Sequence, residues 1–233
     1  MCADGPVQAL ILAGGRGTRL RPLTDLVPKP LVPVAGRPFL CHQLEWLRAN
    51  GVEEAVLLVG YLAEQFHAQL GDGRRFGLRL RYSHEVQPLG TAGAIRNAAG
   101  MLAREFYLVN GDTLLQVPLE SLRAAHLAAS AIGTLVVSPG SGGVAGNVRI
   151  AADGRVASYD KRRSDGAAHV DAGVALYSRE VLEFIPAAGA CGLEQDVFPA
   201  LIRAGRLAAM TTLMPFYDMG TQAGLARLEQ VLQ

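Results

Sequence analysis

The residues best suited to chemistry lie together near the start of the chain, in Leu12-Ala13-Gly14-Gly15-Arg16-Gly17-Thr18-Arg19-Leu20-Arg21-Pro22-Leu23. Three glycines remove Cβ atoms where backbone amides must approach an anion, and such a turn can form a nest of N–H donors. Arg16 and Arg19 add cationic charge to it. Lys29 follows ten residues after Arg19, held in Pro28-Lys29-Pro30. Flanking prolines restrict the backbone on both sides, so this ammonium is presented with little conformational freedom. Two other phosphate-binding patterns fail on spacing. A dinucleotide fingerprint needs G-x-G-x-x-G, whereas Gly15 and Gly17 are followed by Leu20, and no Gly-Lys-Ser/Thr triplet of a P-loop occurs. A nicotinamide oxidoreductase is disfavoured on the same ground.

Further carboxylates sit at the ends of apolar runs. Asp112 closes Phe106 to Val109 through Asn110-Gly111, and Asp218 lies in Tyr217-Asp218-Met219-Gly220. His42, His67, His84, His126 and His169 show no metal-ligand spacing, and His42 and His126 fall within helical patterns as core or surface residues. Trp46 is expected on the core face of its helix or at the rim. Cys2, Cys41 and Cys191 are odd in number and far apart, which gives no disulfide framework and suits a reducing cytoplasm.

These groups need a scaffold, and the chain alternates β-rich apolar runs with helical patterns, as an α/β protein with a largely parallel sheet does. Strands are expected at Val7 to Leu12, Ala55 to Val59, Leu78 to Tyr82, Phe106 to Val109 and Gly133 to Val137. Between them fall helices beginning at Phe39 and ending at Asn50-Gly51, at Glu64 to Leu70, at Thr91 to Ala99 with Thr91 as N-cap, and at Leu119 to Ala129. The second half is less regular. Val148 to Ile150 and Val156 to Tyr159 read as a hairpin, and Val170 to Tyr177 as a strand. Short and longer helices follow at Glu180 to Phe184 and Glu194 to Ala204, then a strand at Leu207 to Met214 and a closing helix at Gln222 to Leu232. Ser138 to Gly146 reads as a loop, not a domain boundary.

Composition bounds the function. Twenty-two basic against 21 acidic residues give a net charge of +1, so no global field holds a polyanion and nucleic acid is not an expected partner. No apolar run reaches the 18 or more residues needed to span a bilayer, and Met1 to Pro6 lack the basic start and apolar stretch of a signal peptide. Neither a membrane nor disorder is expected.

The run from Leu12 to Pro33 resembles the sugar-1-phosphate nucleotidyltransferases, whose signature is L-x-G-G-x-G-T-R-L-x-P-L-T followed by P-K-P. Similarity recurs in order at Pro88-Leu89-Gly90-Thr91-Ala92-Gly93-Ala94, Asn110-Gly111-Asp112, Asp171-Ala172-Gly173 and Asp218-Met219-Gly220-Thr221, covering nearly the whole chain. The resemblance implies a Rossmann-like three-layer α/β/α fold with a mixed, mostly parallel sheet and a small β-rich sugar-binding insertion. It implies one catalytic domain over 1–233, with 1–135 mainly binding nucleotide and 136–233 mainly binding sugar phosphate. That length leaves no room for the appended left-handed β-helix or second enzyme of longer relatives.

In that family a sugar-phosphate oxygen attacks the α-phosphorus of a nucleoside triphosphate and pyrophosphate leaves in line. A phosphate monoester has its second pKa near ~6, so the nucleophile is already anionic and no general base is needed. The reaction needs charge neutralisation and alignment of two repelling anions. By resemblance, Leu12, Ala13, Gly14, Gly15, Arg16, Gly17, Thr18, Glu85, Pro88, Gly90, Thr91 and Asp112 bind the nucleotide. Arg19, helped by Arg16, holds the β- and γ-phosphates, and Lys29 bridges the α-phosphate and the attacking phosphate. Asp112 and Asp218 bind one Mg²⁺, a hard cation that favours oxygen ligands. Gly146, Asp160, Lys161, Asp171, Gly173 and Glu194 hold the sugar phosphate. Asp160 stands where the family has Glu and Asp171 where it has Asn, departures that bear on the sugar and not on the phosphate chemistry. Glu194 suits a first-turn helix acid equally well.

The base admits one physical inference. Guanine presents adjacent N1–H and N2–H donors that suit a two-oxygen acceptor, whereas uracil and thymine are better served by an amide, so Glu85 favours GTP. A solvated strand-end glutamate, with Gln87 as base reader, is the other reading. Leu193 to Pro199 and Phe216 to Thr221 most resemble the bacterial guanylyltransferases of D-glycero-α-D-manno-heptose 1-phosphate, which supply capsule or lipopolysaccharide precursors. The alternatives are a mannose-1-phosphate guanylyltransferase, or an N-acetylmuramate or glucose 1-phosphate uridylyl- or thymidylyltransferase. A non-catalytic sugar-nucleotide sensor is a different class, and it would have no reason to keep Arg19, Lys29, Asp112 and Asp218 together. A homodimer is one possible state.

Overall fold

The computed structural model describes residues 8–140, 146–160 and 167–233. In chain order the elements are β1 (Gln8–Ala13), β2 (Pro33–Val34), β3 (Arg37–Pro38), α1 (Phe39–Ala49), β4 (Glu54–Val59), α2 (Ala63–Leu70), β5 (Arg79–His84), α3 (Gly90–Asn97), β6 (Glu105–Asn110) and β7 (Thr113–Leu115). They continue as α4 (Leu119–Ala129), β8 (Gly133–Pro139), β9 (Val148–Ile150), β10 (Val156–Tyr159), β11 (His169–Ser178), α5 (Phe198–Arg203), β12 (Leu207–Thr211), β13 (Phe216–Asp218) and α6 (Gln222–Leu232).

β1 is apolar almost throughout because it is covered on both faces, as central parallel strands are. Ala9, Ile11 and Ala13 pack with α1, α2 and α4 through Leu40, Leu44, Phe66 and Leu122. Leu10 and Leu12 turn the other way, toward Ile95 of α3 and Phe198 and Leu201 of α5. The result is the expected three-layer arrangement. The sheet runs β5-β4-β1-β6 in parallel, after which β11 lies antiparallel between β6 and β8, and β12 pairs in parallel with β8.

The expected hairpin forms from β9 and β10, and its Val148 pairs with His169 of β11. Because β11 runs antiparallel to β6 with Val174 opposite Val109, His169 projects beyond the carboxyl end of β6. The small β-rich insertion is thereby placed over the carboxyl edge of the sheet. No helix among the described residues is long and apolar enough to cross a membrane.

Several expectations shift. Thr91 is not the N-cap: α3 begins one residue earlier, with Leu89 at the cap, and the threonine hydroxyl accepts from Leu193 N at 2.8 Å. The helix expected over Glu194 to Ala204 divides into a π-turn over Leu193–Val197 and α5, since Pro199 has no N–H to continue an upstream ladder. The last long strand ends at Thr211, short of Met214. Two short antiparallel pairs, β2 with β3 and β7 with β13, have no counterpart in the sequence pattern. Val7, residues 141–145 of the expected loop and Lys161 lie outside the described residues.

Candidate active site

The glycine turn leaves the carboxyl end of β1 and folds back on itself. Gly17 adopts φ +60°, and a Cβ there would stand 2.9 Å from Cβ of Lys29 and 3.0 Å from the Thr24 methyl. Thr24 Oγ1 closes the turn by donating to the Gly17 carbonyl at 2.9 Å. At the neighbouring strand end Gly111 N donates to the Leu12 carbonyl at 3.0 Å, so close that a Cβ on Gly111 would meet that oxygen at 2.6 Å. Glycine is required at both positions for backbone to lie against backbone or stem.

Lys29 is 8% exposed, and its ammonium has carboxylates for company. Nζ lies 2.5 Å from Asp112 Oδ2 and 3.8 Å from Asp218 Oδ1. Asp112 and Asp218 meet because β13 pairs with β7, which sets Asp218 opposite Thr113, and because Met219 N donates to the Asp112 carbonyl at 3.0 Å. Gly220 N donates to Asp218 Oδ1 at 2.5 Å. The Arg19 guanidinium packs on the same turn: a Cβ on Gly220 would lie 3.0 Å from its Nη2. Two carboxylates beside one ammonium form a hard-oxygen donor set suited to a divalent cation such as Mg²⁺. No cluster of three or more His, Cys, Asp or Glu able to hold a metal occurs among the described residues, so such an ion would draw its other ligands from phosphate oxygens and water.

A cavity of about 500 Å³ opens on this cluster. Of the residues assigned by resemblance to nucleotide and catalysis, it brings together Leu12, Ala13, Gly14, Gly15, Gly17, Thr18, Arg19, Lys29, Glu85, Pro88, Gly90, Thr91 and Asp112. Arg16 stands apart, with its guanidinium 5.7 Å over the Tyr61 ring. Glu85 Oε2 accepts from Leu89 N at 2.8 Å, and its other oxygen sits 2.7 Å from where a Gly14 Cβ would be. Burial raises the Glu85 carboxyl above the usual range, partly offset by the Leu89 N–H.

A smaller recess of about 80 Å³ adjoins the cavity and shares Leu12, Thr91, Asn110 and Glu194 with it. Asp171 and Gly173 line it. Asp171 accepts from the Gly173 N–H at 2.9 Å and the Tyr159 hydroxyl at 3.0 Å, and its own N–H donates to Asn147 Oδ1 at 2.9 Å. Burial and then the Asp171 charge push the Tyr159 hydroxyl far upward, so it remains a donor. The carboxylate in place of the family's amide is thus held by two donors. Asp160 is exposed and lies outside both linings, as does Gly146.

Segments about a hundred residues apart in the chain are bolted together beside Thr91. Cys191 N donates to the Leu89 carbonyl at 2.8 Å, and the Cys191 carbonyl accepts from Ala92 N and Gly93 N at 3.1 and 3.2 Å. Arg96 adds a bond to the Gly189 carbonyl at 2.7 Å. Gly90, at φ +73°, lies where a Cβ would stand 2.4 Å from that Cys191 oxygen. Gly90→Ala is expected to lose roughly 1–3 kcal/mol of stability, seen as a lowered thermal midpoint, because strain and clash both fall on backbone. An unchanged midpoint would show that the latch yields freely.

Sequence reading missed Asn110, Asn147, Tyr159 and Gln43. For Gln43 a signal existed: it lies on the i, i+3, i+4, i+7 stripe with Leu40, Leu44 and Leu47, where a polar side chain must have a buried partner.

Fold and cleft together define an α/β protein whose glycine turn lines a cavity at the carboxyl edge of its sheet. A family model described as nucleotidyl transferase matches residues 8–232, and the chain belongs to that family. It is 37% identical over 230 residues to the mannose-1-phosphate guanylyltransferase of Mycobacterium tuberculosis, covering 97% of this chain and 64% of that one. It is 35% identical to the catalytic subunit beta of that enzyme from Drosophila melanogaster, covering 94% of this chain and 62% of the relative. The chain therefore spans less than two thirds of the length of these relatives. Among solved structures, HddC from Yersinia pseudotuberculosis superposes with a TM-score of 0.86 at 27% identity, covering 97% of this chain and 99% of that one. The same protein complexed with GMP-PN gives 0.83 at 26%, again covering 97% and 99% of the two chains.

Proposed function

We propose that this chain transfers GMP from GTP to a sugar 1-phosphate in the cytoplasm, releasing pyrophosphate and forming a GDP-sugar. The observation that carries the reading is Lys29 Nζ, buried between Asp112 and Asp218 at the mouth of the glycine turn. An oxygen of the sugar phosphate bonds to the α-phosphorus while the bond from that phosphorus to the bridging oxygen of the leaving pyrophosphate breaks. Lys29 neutralises charge between the two phosphates, and Arg19 with the turn's amides holds the departing end. Asp112 and Asp218 would hold Mg²⁺, which supplies Lewis-acid neutralisation of phosphate charge when bound. Residues 1–135 serve mainly the nucleotide, and 136–233 mainly the sugar phosphate, within one catalytic domain.

Guanine specificity is supported by Glu85 at the cavity wall and by the guanylyltransferases among the relatives. D-glycero-α-D-manno-heptose 1-phosphate is the first acceptor, a reading supported by the match to HddC over 97% of this chain and 99% of that one. Mannose 1-phosphate is the second, favoured by the 37% identity to an enzyme of that name. Pyrophosphate release from GTP, UTP or dTTP with heptose, mannose or glucose 1-phosphate tests the reading. Turnover is expected with GTP and a manno-configured acceptor, and activity with UTP or dTTP but not GTP overturns it. Glu85 adds a pH signature. Its carboxylate form is lost as pH falls through a value raised by burial, so kcat/KM for GTP should drop on mild acidification. Glu85→Gln, with no charge to lose, should flatten that limb; an unchanged acid limb would remove Glu85 from base recognition.

A further inference from the structure

Gln43 lies on α1, 1% exposed, beneath the turn that carries Asp112. Its Nε2 donates to the Asn110 carbonyl at 2.8 Å and to the Thr113 carbonyl at 2.6 Å. Those carbonyls bracket Gly111 and Asp112. Both partners are acceptors only, which fixes the amide orientation: the NH₂ end must face the turn. The other end, Oε1, is buried with no hydrogen-bond partner. A buried acceptor without a donor costs stability, and the neighbouring leucines on the same stripe show that packing alone asks for an apolar side chain. The two bonds to the turn are what an amide supplies there and an aliphatic group cannot.

We propose that Gln43 is a positioning residue that sets the backbone on both sides of Asp112 so that its carboxylate serves Lys29 and the metal in turn. The inference rests on the reading of Asp112 and Asp218 as the metal-binding pair. Besides the strand pairings of Asn110 with Leu12 and of Thr113 with Asp218, the turn is tied by Gly111 N to the Leu12 carbonyl, Met219 N to the Asp112 carbonyl, and Thr113 Oγ1 to Asp112 Oδ1 at 3.3 Å. One oxygen of the carboxylate sits 2.5 Å from an ammonium and the other has only the long 3.3 Å contact from Thr113, for which a cation would compete, so the side chain is held loosely. Precision has to come from the main chain. Removing Gln43 releases two carbonyls at once, one before Asp112 and one after it, and misplacement by an ångström at a reacting centre costs on the order of 10²-fold in rate.

The test compares wild type with Gln43→Met, which keeps length and loses both donors, and Gln43→Glu, which turns a carboxylate toward two carbonyl oxygens. Measured are kcat, KM for GTP, the half-saturating Mg²⁺ concentration and the thermal midpoint. Expected for Gln43→Met is a kcat lowered roughly 10–100-fold with several-fold more Mg²⁺ needed and KM for GTP nearly unchanged, and for Gln43→Glu a larger loss of the same kind. A lowered thermal midpoint with wild-type kcat and Mg²⁺ dependence, or a kcat loss with an unshifted Mg²⁺ dependence, overturns the proposal. Should Gln43→Met not fold, Gln43→Asn, whose amide stops one carbon short of the turn, carries the same expectation. If wild type itself transfers no nucleotide with any substrate pair, the functional reading fails instead. The Mg²⁺-induced rise in thermal midpoint, compared between wild type and variant, then still reads the placement of Asp112.

Discussion

Lys29→Met is expected to lower kcat by roughly 10²–10³-fold, the usual loss when one preorganised charge-stabilising donor is removed from a reacting phosphate or carbonyl. The ammonium is buried against Asp112 and within reach of Asp218, and it lines the same cavity as the glycine turn and Arg19. A lysine serving only to pair surface carboxylates would be exposed and its loss nearly silent. Here the stem is packed against Gly17, so the charged end has little freedom to go elsewhere. A second consequence separates catalysis from mere charge balance. Without Nζ, Asp112 and Asp218 face each other as like charges, so the variant should be less stable in chelator and gain more from Mg²⁺ than wild type does. Thermal midpoints across a Mg²⁺ titration, together with single-turnover rates, check both parts. Wild-type turnover in Lys29→Met would dismiss its role between the phosphates.

What could be read from the sequence differs between these neighbours for physical reasons. The glycine turn was legible because close backbone approach leaves a local trace in residue type, as Gly17 and Gly111 show. The parallel core was legible from runs such as β1 and β4, whose covered faces call for apolar side chains at all but their first positions. The juxtaposition of Asp112 and Asp218 left no local trace. It depends on β7 and β13, three residues each, too short to show a period and set side by side only by tertiary pairing. Thr91 misled for a related reason: its preference for a helix start is real, but its hydroxyl is claimed by Leu193, 102 residues further along the chain, leaving the cap to Leu89. Asp171 and Gly173 were singled out by their motif and line the smaller recess, whereas Tyr159 and Asn147 were missed because their bonds to Asp171 join segments that meet only in three dimensions.

Asp218→Asn should abolish most activity while leaving the fold intact, and the contrast with Asp218→Ala shows why. Asp218 has two tasks: one oxygen accepts from Gly220 N at 2.5 Å and shapes the turn against which Arg19 packs, and the carboxylate as a whole supplies charge beside Lys29. Asparagine keeps an oxygen for the Gly220 N–H but surrenders the charge, whereas alanine loses both. Thermal midpoints should therefore fall for Asp218→Ala and stay near wild type for Asp218→Asn. Turnover should fall in both by about 10²-fold or more, with a half-saturating Mg²⁺ concentration raised roughly tenfold, because a neutral amide is a poor ligand for a hard dication. Added Mg²⁺ should then recover part of the asparagine variant's rate and less of the alanine variant's, whose turn is also displaced. If Asp218→Asn turns over like wild type at low Mg²⁺, the metal is not held by this pair, and Asp218 is left with the turn alone.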